Sequence, residues 1–527
     1  MTTRTMKHTF TLFAIIIIEG YIVLSTELLI IRQTIPYIGS GTDTISVIIA
    51  AVLMPLAFGY QTGGAYKPKK ILGHFVTIRK KLIYNFCIAA SFLALGLSYP
   101  FLHRFFLDIA SYGITNRIMQ LSIFCALFVV VPVYLLGQTV PLISHFFSKE
   151  NLPKVTGRIL FCSTVGSFLG ATLSTMVLMS VLGVHHTLTL NFVLMALLVL
   201  LLSKRPKTSP IMYAAPVLIL VLFIKMLTSI FIFPVPYMDY IVFTACAIAL
   251  ARKKPQTVPV MYMSVLALLA ILSNTDSSLR KIYPHMRVNN EYNLVQAGPK
   301  ANGSYEMRIN GNRSSSYSDD GTKFIYIDEA EEILIDPILA ANPPKDILII
   351  GAGGFTFGHN DNNNTYTYVD IDKDLKDIAE RHILRAPIGD NKRFVAKPAR
   401  AFLHADQNKY DIIYLDAYLG GASVPEHLIT REFFIQIKNR LKENGVLMTN
   451  FIATPDFRDR FSQTLDNTIR SVFPYISRMA IGNRYQLWKD NPESLANISY
   501  IYRHRNYDNN NVYTDNKNNV FYEKHDK

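Results

Sequence analysis

The chain has 527 residues, half of them apolar and only 17% charged, with a formal net charge of +14. Residues 1–273 hold 21 Lys/Arg against 6 Asp/Glu (+15) and the remainder 32 against 33 (−1), which sums to that +14 and puts all the excess in loops between hydrophobic runs. A nucleic-acid binder would gather such charge on one folded face among aromatic platforms, so that class is set aside.

Apolar runs fall at 9–31, 43–63, 82–103, 118–142, 159–182, 187–203, 209–232, 237–251 and 257–273. Most approach the roughly 20 residues a helix needs to cross about 30 Å of hydrocarbon. Residues 1–273 therefore read as a multi-span α-helical membrane domain of eight or nine helices, in the plasma (inner) membrane of a cell. The loops 66–81, 148–158, 204–207 and 251–254 are basic, whereas 183–186 and 233–237 hold no Lys or Arg. Basic loops stay on the cytoplasmic side. Nine spans would leave the C-terminal half outside. If one of the two short last runs does not cross, that half is cytoplasmic, and this is the expectation. Glu19 and Glu27 lie within the first span, where a carboxylate at bilayer depth marks a functional position or pairs locally, as Glu27 would with Arg32. The cysteines, Cys87, Cys125, Cys162 and Cys246, lie in apolar segments without a CxxC partner, so disulfide and zinc frameworks have no support.

After Ser273 the composition turns polar and Asn-rich. Residues 274–330 read as a linker and a small β-hairpin unit, with the alternating runs "YNLVQA", "YEMRING" and "KFIYIDE" split by "GPKANG", "NGN" and "DDG". Residues 331–505 alternate strand and helix: strands at 345–351, 365–372, 393–397, 410–418 and 446–453, helices at 372–384, 398–406 and 430–445. That alternation predicts an α/β, Rossmann-like doubly wound sheet, with ligands at the carboxyl ends of its strands. The tail 506–527 is polar and low in apolar content.

Gly351, Gly353 and Gly354 follow the first of these strands, where a bound adenosyl group needs backbone approach free of a Cβ. About twenty residues on, the second strand ends in Asp370 and Asp372, placed to accept hydrogen bonds from ribose hydroxyls. A phosphate-binding P-loop is ruled out because no GK[ST] follows. Asp416 ends the fourth strand, where a carboxylate can take a proton from an amine or hold an ammonium. Tyr418 beside it could wall the pocket. His359 and His382 lack ligand-spaced partners, so no metal is expected.

These residues resemble the spermidine synthase (polyamine aminopropyltransferase) family. "EYNLVQA" is similar to its first strand motif, "LIIGAGGFTFG" to its glycine turn, "YVDID" to the ribose-acid strand and "YDIIYLDAY" to the catalytic-acid strand. "HLITREFF" resembles the segment before the next helix, and residues 25–64 look like the start of the membrane-fused bacterial members. The resemblance implies a methyltransferase-type Rossmann-like fold and no bound cofactor. The co-substrate would be decarboxylated S-adenosylmethionine, its aminopropyl group passing to an amine such as putrescine. Asp370 would bind ribose and Asp416 would be the proton acceptor, with Ile371, Tyr418, Asn293 and Tyr326 among the substrate- and donor-binding positions. Expected partners are the lipid bilayer and the two small substrates, with a homodimer through the soluble part. Three positions depart from the family pattern: Gly354, Pro398 and Leu419 stand where it has acids, the last of which anchors the far amine of a diamine. Two other readings stay open: an S-adenosylmethionine-dependent methyltransferase acting on a hydrophobic acceptor, and a non-catalytic sensor of adenosyl metabolites coupled to a transport-like membrane domain.

Overall fold

The computed structural model describes residues 3–39, 41–71, 74–114, 116–147, 152–203, 258–419, 424–482 and 495–503. They form two compact units. One comprises Met1–Ser316, Asp377–Arg385 and Tyr418–Pro425, the other Tyr317–Lys376, Ala386–Ala417 and Glu426–Lys527. The apolar runs expected at 209–232 and 237–251, and the polar tail from 506, lie outside the described residues.

The first unit is mainly helical. Among the described residues four helices are long and apolar enough to cross a membrane: Thr9–Ile38, Thr42–Gly64, Lys154–Leu182 and Val184–Leu202. Three bent pairs raise the number to seven if each is one span: Ile78–Gly96 with Tyr99–Ser111, Arg117–Phe128 with Val130–Ser144, and Pro259–Ser273 with Asp276–Ile282. The run expected at 82–103 is broken because Pro100, with no N–H to donate, opens a new helix directly after Ser98. The first helix, Thr3–Ile38, lies against Leu152–Leu173 at close range, because Gly166 and Gly170 let the Ile17 and Tyr21 backbones approach where any Cβ would collide. The helices point polar groups inward: Asn85 Nδ2 donates to Gln138 Oε1 at 2.8 Å, and Asn191 Nδ2 to Thr26 Oγ1 at 3.2 Å. Their outward faces carry exposed Leu53, Met54, Phe58, Phe161, Phe168 and Met176.

Two strands, β1 (Lys69–Ile71) and β2 (His74–Val76), form a hairpin in the first basic loop. After Ile282 come β3 (Met286–Asn289), β4 (Leu294–Pro299), β5 (Tyr305–Ile309) and β6 (Asn312–Tyr317), a four-stranded sheet in that order. Asn310 and Gly311 both have positive φ (51° and 82°), which fits a tight two-residue turn from β5 to β6. This sheet belongs with the helices. Leu279, Tyr283, Met286 and Leu294 share one buried cluster with Tyr99, and Tyr99 Oη accepts from Asn289 Nδ2 at 2.8 Å. The "KFIYIDE" run, expected as part of a hairpin, instead enters a helix, Ile325–Leu334. Its buried positions Ile327, Ala330 and Leu334 recur every three or four residues rather than every two.

The second unit is built on seven strands. In chain order these are β7 (Asp346–Ile350), β8 (Thr365–Asp370), β9 (Lys392–Ala396), β10 (Tyr410–Leu415), β11 (Leu441–Ala453), β12 (Ser477–Ile481) and β13 (Ala496–Arg503). Across the sheet they run β12-β13-β11-β10-β7-β8-β9. β7 pairs in parallel with β8 and β10, β9 with β8 and β11 with β10, whereas β13 is antiparallel to β11 and β12 to β13. The first five strands follow the expected doubly wound pattern, with the order reversing between β7 and β10. The antiparallel pair β12–β13 was not foreseen. β11 begins at Leu441, five residues earlier than expected, because the preceding helix stops at Arg440 and buried Leu441 pairs with Tyr410. Gly445 is therefore within the strand's irregular lead and caps no helix.

Candidate active site

β7, β8 and β10 deliver three elements to one edge of the sheet. Gly351 leaves β7 with φ +94°, in the left-handed region. A Cβ there would fall on the carbonyl of Asp416, so only glycine lets the ends of β7 and β10 come this close. The same ends are tied by Asp416 N–H donating to Ile350 O at 2.8 Å. Gly353 is also left-handed, at φ +50°. Gly354 is buried and has no such φ.

Asp370, at the end of β8, is half-buried. Its Oδ2 accepts from Ala352 N–H in the glycine turn at 3.0 Å, and its Oδ1 from Asp372 N–H at 3.2 Å. The carboxylate thus braces the turn, and an ionised carboxylate has acceptor capacity beyond these bonds for an incoming hydroxyl. Burial pushes its pKa up to about 6, against the pull of those N–H bonds. Ile371 beyond it is exposed, at 38%, and free to cover a flat ring. Asp372 is buried and accepts from Asp374 N–H at 3.1 Å, just before the helix Leu375–Ala379.

Asp416 is half-buried at the end of β10. Tyr326 Oη donates to its Oδ2 at 3.4 Å and Asn450 Nδ2, from β11, to its Oδ1 at 3.0 Å. Burial again dominates, raising the carboxyl to about 6 while the two hydrogen bonds oppose it. Tyr326 was an expected site residue; Asn450 was not, although a lone amide inside the apolar run "VLMTNFIA" was a visible signal.

The loop after the turn is pinned from behind. Glu331 Oε1 accepts from Gly358 N–H at 2.6 Å and from Lys323 Nζ at 2.6 Å, and Lys323 is almost fully buried. Tyr368 Oη donates to Phe357 O at 2.7 Å. Phe355 does not plug the turn: its ring is buried against Tyr368 and Phe394, 5.0 and 5.2 Å away. A hollow of about 400 Å3 lined by Tyr366, Lys392, Arg393 and Tyr410 lies at the opposite, amino ends of the strands, away from this chemistry.

The remaining expected residues belong to the first unit. Asn293 is buried in an asparagine network, its N–H donating to Asn290 Oδ1 at 2.8 Å and its Oδ1 accepting from Asn310 Nδ2 at 3.0 Å. Tyr418 and Leu419 open the segment 418–425, where the Leu419 carbonyl accepts from Asn310 Nδ2 at 2.6 Å. Glu19 is buried among the helices and Glu27 is half-buried. The expected pairing of Glu27 with Arg32 is not made; Arg32 reaches Asn290 O at 3.0 Å and Asn310 Oδ1 at 3.5 Å instead. Pro398, with φ −56°, precedes the helix Ala399–Ala405 and offers no side-chain cap.

Strand order, the glycine turn at the reversal point and acids ending β8 and β10 define a Rossmann-like domain of the methyltransferase type. Within it, residues 328–482 match the family model described as the spermine/spermidine synthase domain. Similar proteins include the polyamine aminopropyltransferase of Vibrio vulnificus, 32% identical over 33% of this chain and 59% of that protein. Polyamine aminopropyltransferase 2 of Pseudomonas aeruginosa is 30% identical over 28% of this chain and 44% of its own. Each match thus spans less than two thirds of the relative. Among solved structures, a probable spermidine synthase from Corynebacterium glutamicum aligns with 42% of this chain and 81% of its own at 19% identity and a TM-score of 0.35.

Proposed function

We propose that the protein is a membrane-embedded aminopropyltransferase, moving the aminopropyl group of decarboxylated S-adenosylmethionine to a small amine. The observation that carries this is Asp416, held by Tyr326 and Asn450 at the strand end beside the glycine turn and Asp370. Asp370 would take the ribose hydroxyls and Ile371 would lie on the nucleobase. Asp416 accepts the proton of the incoming ammonium. The freed nitrogen lone pair attacks the carbon bound to sulfur, that C–S bond breaks, and its electrons neutralise the sulfonium as methylthioadenosine leaves. Charge on sulfur is lost along the way, so the residues need only align two cations and remove one proton.

Insertion in a bilayer is supported by the outward apolar faces of the helices and by the polar side chains, Asn85 with Gln138 and Asn191 with Thr26, that bond one another between them. Leu419, standing where the family pattern has the acid for a far amine, favours an acceptor without a second ammonium, or a methyl acceptor with intact S-adenosylmethionine as donor. Full-length protein in detergent, given each donor and a panel of amines, separates the two. Methylthioadenosine release is expected from the first donor, with a loss of roughly 10²–10⁴-fold in Asp416→Asn. S-adenosylhomocysteine release alone would replace the aminopropyl reading with the methyl one.

A further inference from the structure

The helices of the first unit have two distinguishable ends. At one end Gly64 O meets His145 Nε2 at 3.2 Å, and Tyr66 Oη donates to Val76 O at 2.9 Å. This end carries the β1–β2 hairpin and the loop 66–81 with its six Lys/Arg, along with Lys154 and Arg158. At the other end Gln33 Nε2 of the first helix donates to Leu97 O, 3.2 Å away, at the end of the third. The turns here, 39–41 and Gly183, carry no Lys or Arg; the segment 98–117 at this end adds Arg104, paired with Asp108, and Arg117, against the eight Lys/Arg just named at the other end.

The β3–β6 sheet sits on this second, less basic end. Arg32 donates to Asn290 O, Tyr37 bonds Tyr283, Tyr99 bonds Asn289, and the Asn289 carbonyl lies against Gly183. The helix leading into the sheet is tied here too, since His185 Nε2 and Asp276 Oδ1 are 2.8 Å apart and Asn274 Oδ1 accepts from Tyr99 N–H at 3.2 Å. These contacts come from three separate places among the helices, the end of the first, the start of Tyr99–Ser111 and the Gly183–His185 turn, and none depends on how many times residues 204–257 cross.

Basic loops are retained in the cytoplasm. We infer that the β3–β6 sheet, and with it the acid-tipped domain joined to it at Ser316, lies on the extracytoplasmic side of the membrane. This rests on the reading of the helices as membrane-embedded, and it replaces the cytoplasmic placement expected from dropping one short span. No apolar run after Ser273 is long enough to bring the chain back. The consequence is chemical. A donor bearing both a sulfonium and an ammonium does not cross hydrocarbon unaided, so a cation-translocating step must supply it on that face, or an acceptor and donor found there must be used.

Single cysteines at Ala301, exposed in the β4–β5 turn, and at Lys70, exposed in the basic hairpin, test the orientation in a cysteine-free full-length chain. A membrane-impermeant maleimide is expected to label Ala301→Cys in intact cells and Lys70→Cys only after permeabilisation. Labelling with the opposite sidedness, or of both positions from one side, overturns the inference. Release of the chain by alkaline carbonate overturns the membrane reading beneath it. Turnover is read separately: right-side-out vesicles should consume added donor and inverted vesicles should not. Absence of turnover in both would sink the transfer chemistry while the labelling still decides the side.

Discussion

At the scale of single residues, Asp416 and Asp370 both sit in walls that disfavour their charge, and each carboxyl is pushed up to about 6. On the proposed reading Asp416 is the base and must be ionised to accept a proton, so the acidic limb of kcat/KM should bend near pH 6, well above an ordinary aspartate. A limb at pH 4 would show that the apo-state walls do not persist in the working enzyme. The same pair sets a stability dependence. A folded-state pKa above the unfolded one stabilises the fold below about pH 4, and that stabilisation is lost as pH rises through about 6. Asp416→Asn removes one of these penalties, on the order of 2–3 kcal/mol at most. It is therefore expected to unfold at higher temperature than the wild type at pH 8, with the difference shrinking toward pH 5. What was legible in the sequence here is instructive. Gly351, Asp370 and Asp416 each end a strand, and strand ends are visible as apolar runs that stop. Tyr326 and Asn450 reach Asp416 from distant points of the chain, and spacing says nothing of such meetings. Only the amide's placement in a buried strand hinted at a task.

At the scale of elements, β7 and β10 were legible because each is a nearly continuous apolar run bounded by turn residues, and β8 and β9 because they alternate with helical segments. The antiparallel pair β12–β13 was not, since "SRMAI" and "ANISYIYR" are short or mixed and draw their identity from the pairing of β13 with β11 and of β12 with β13. The helix Ile325–Leu334 was misjudged because "KFIYID" is rich in strand formers, and its helical burial period is decided by what it packs against. That helix also supplies the brace under the glycine turn. Glu331 holds Gly358 N–H while its charge is matched by Lys323 Nζ, within 2.6 Å. Burial raises the Glu331 carboxyl despite that partner. Removing one member of a buried pair leaves the other uncompensated, at a cost of about 3–5 kcal/mol. Lys323→Met should therefore lower the unfolding temperature and raise KM for the donor, because the 351–358 loop loses its brace, with a smaller effect on kcat. A thermally unchanged Lys323→Met would mean that the pair contributes nothing net.

At the scale of the whole molecule, the sequence divides where hydropathy changes, at Ser273, whereas compactness divides at Ser316. The reason is physical. Hydropathy records which residues avoid water, and β3–β6 is polar enough to read as soluble, yet its inner face is completed by the helices. Leu279, Tyr283, Met286 and Leu294 bury themselves with Tyr99, and Asn290 and Asn310 receive hydrogen bonds from Arg32. A fragment of residues 274–527 would begin after all of these partners. It would expose four apolar side chains in one patch and leave polar groups of the β3–β6 sheet without their donor, both of which favour association. Such a fragment is expected to elute as aggregate in size-exclusion chromatography and to bind an apolar dye, whereas the full chain in detergent runs as a discrete species. A monodisperse 274–527 fragment with cooperative unfolding would show that the β3–β6 sheet stands without the helices. The contacts of Arg32 and Tyr99 would then be incidental, and the chain's orientation would have to be argued from its loops alone.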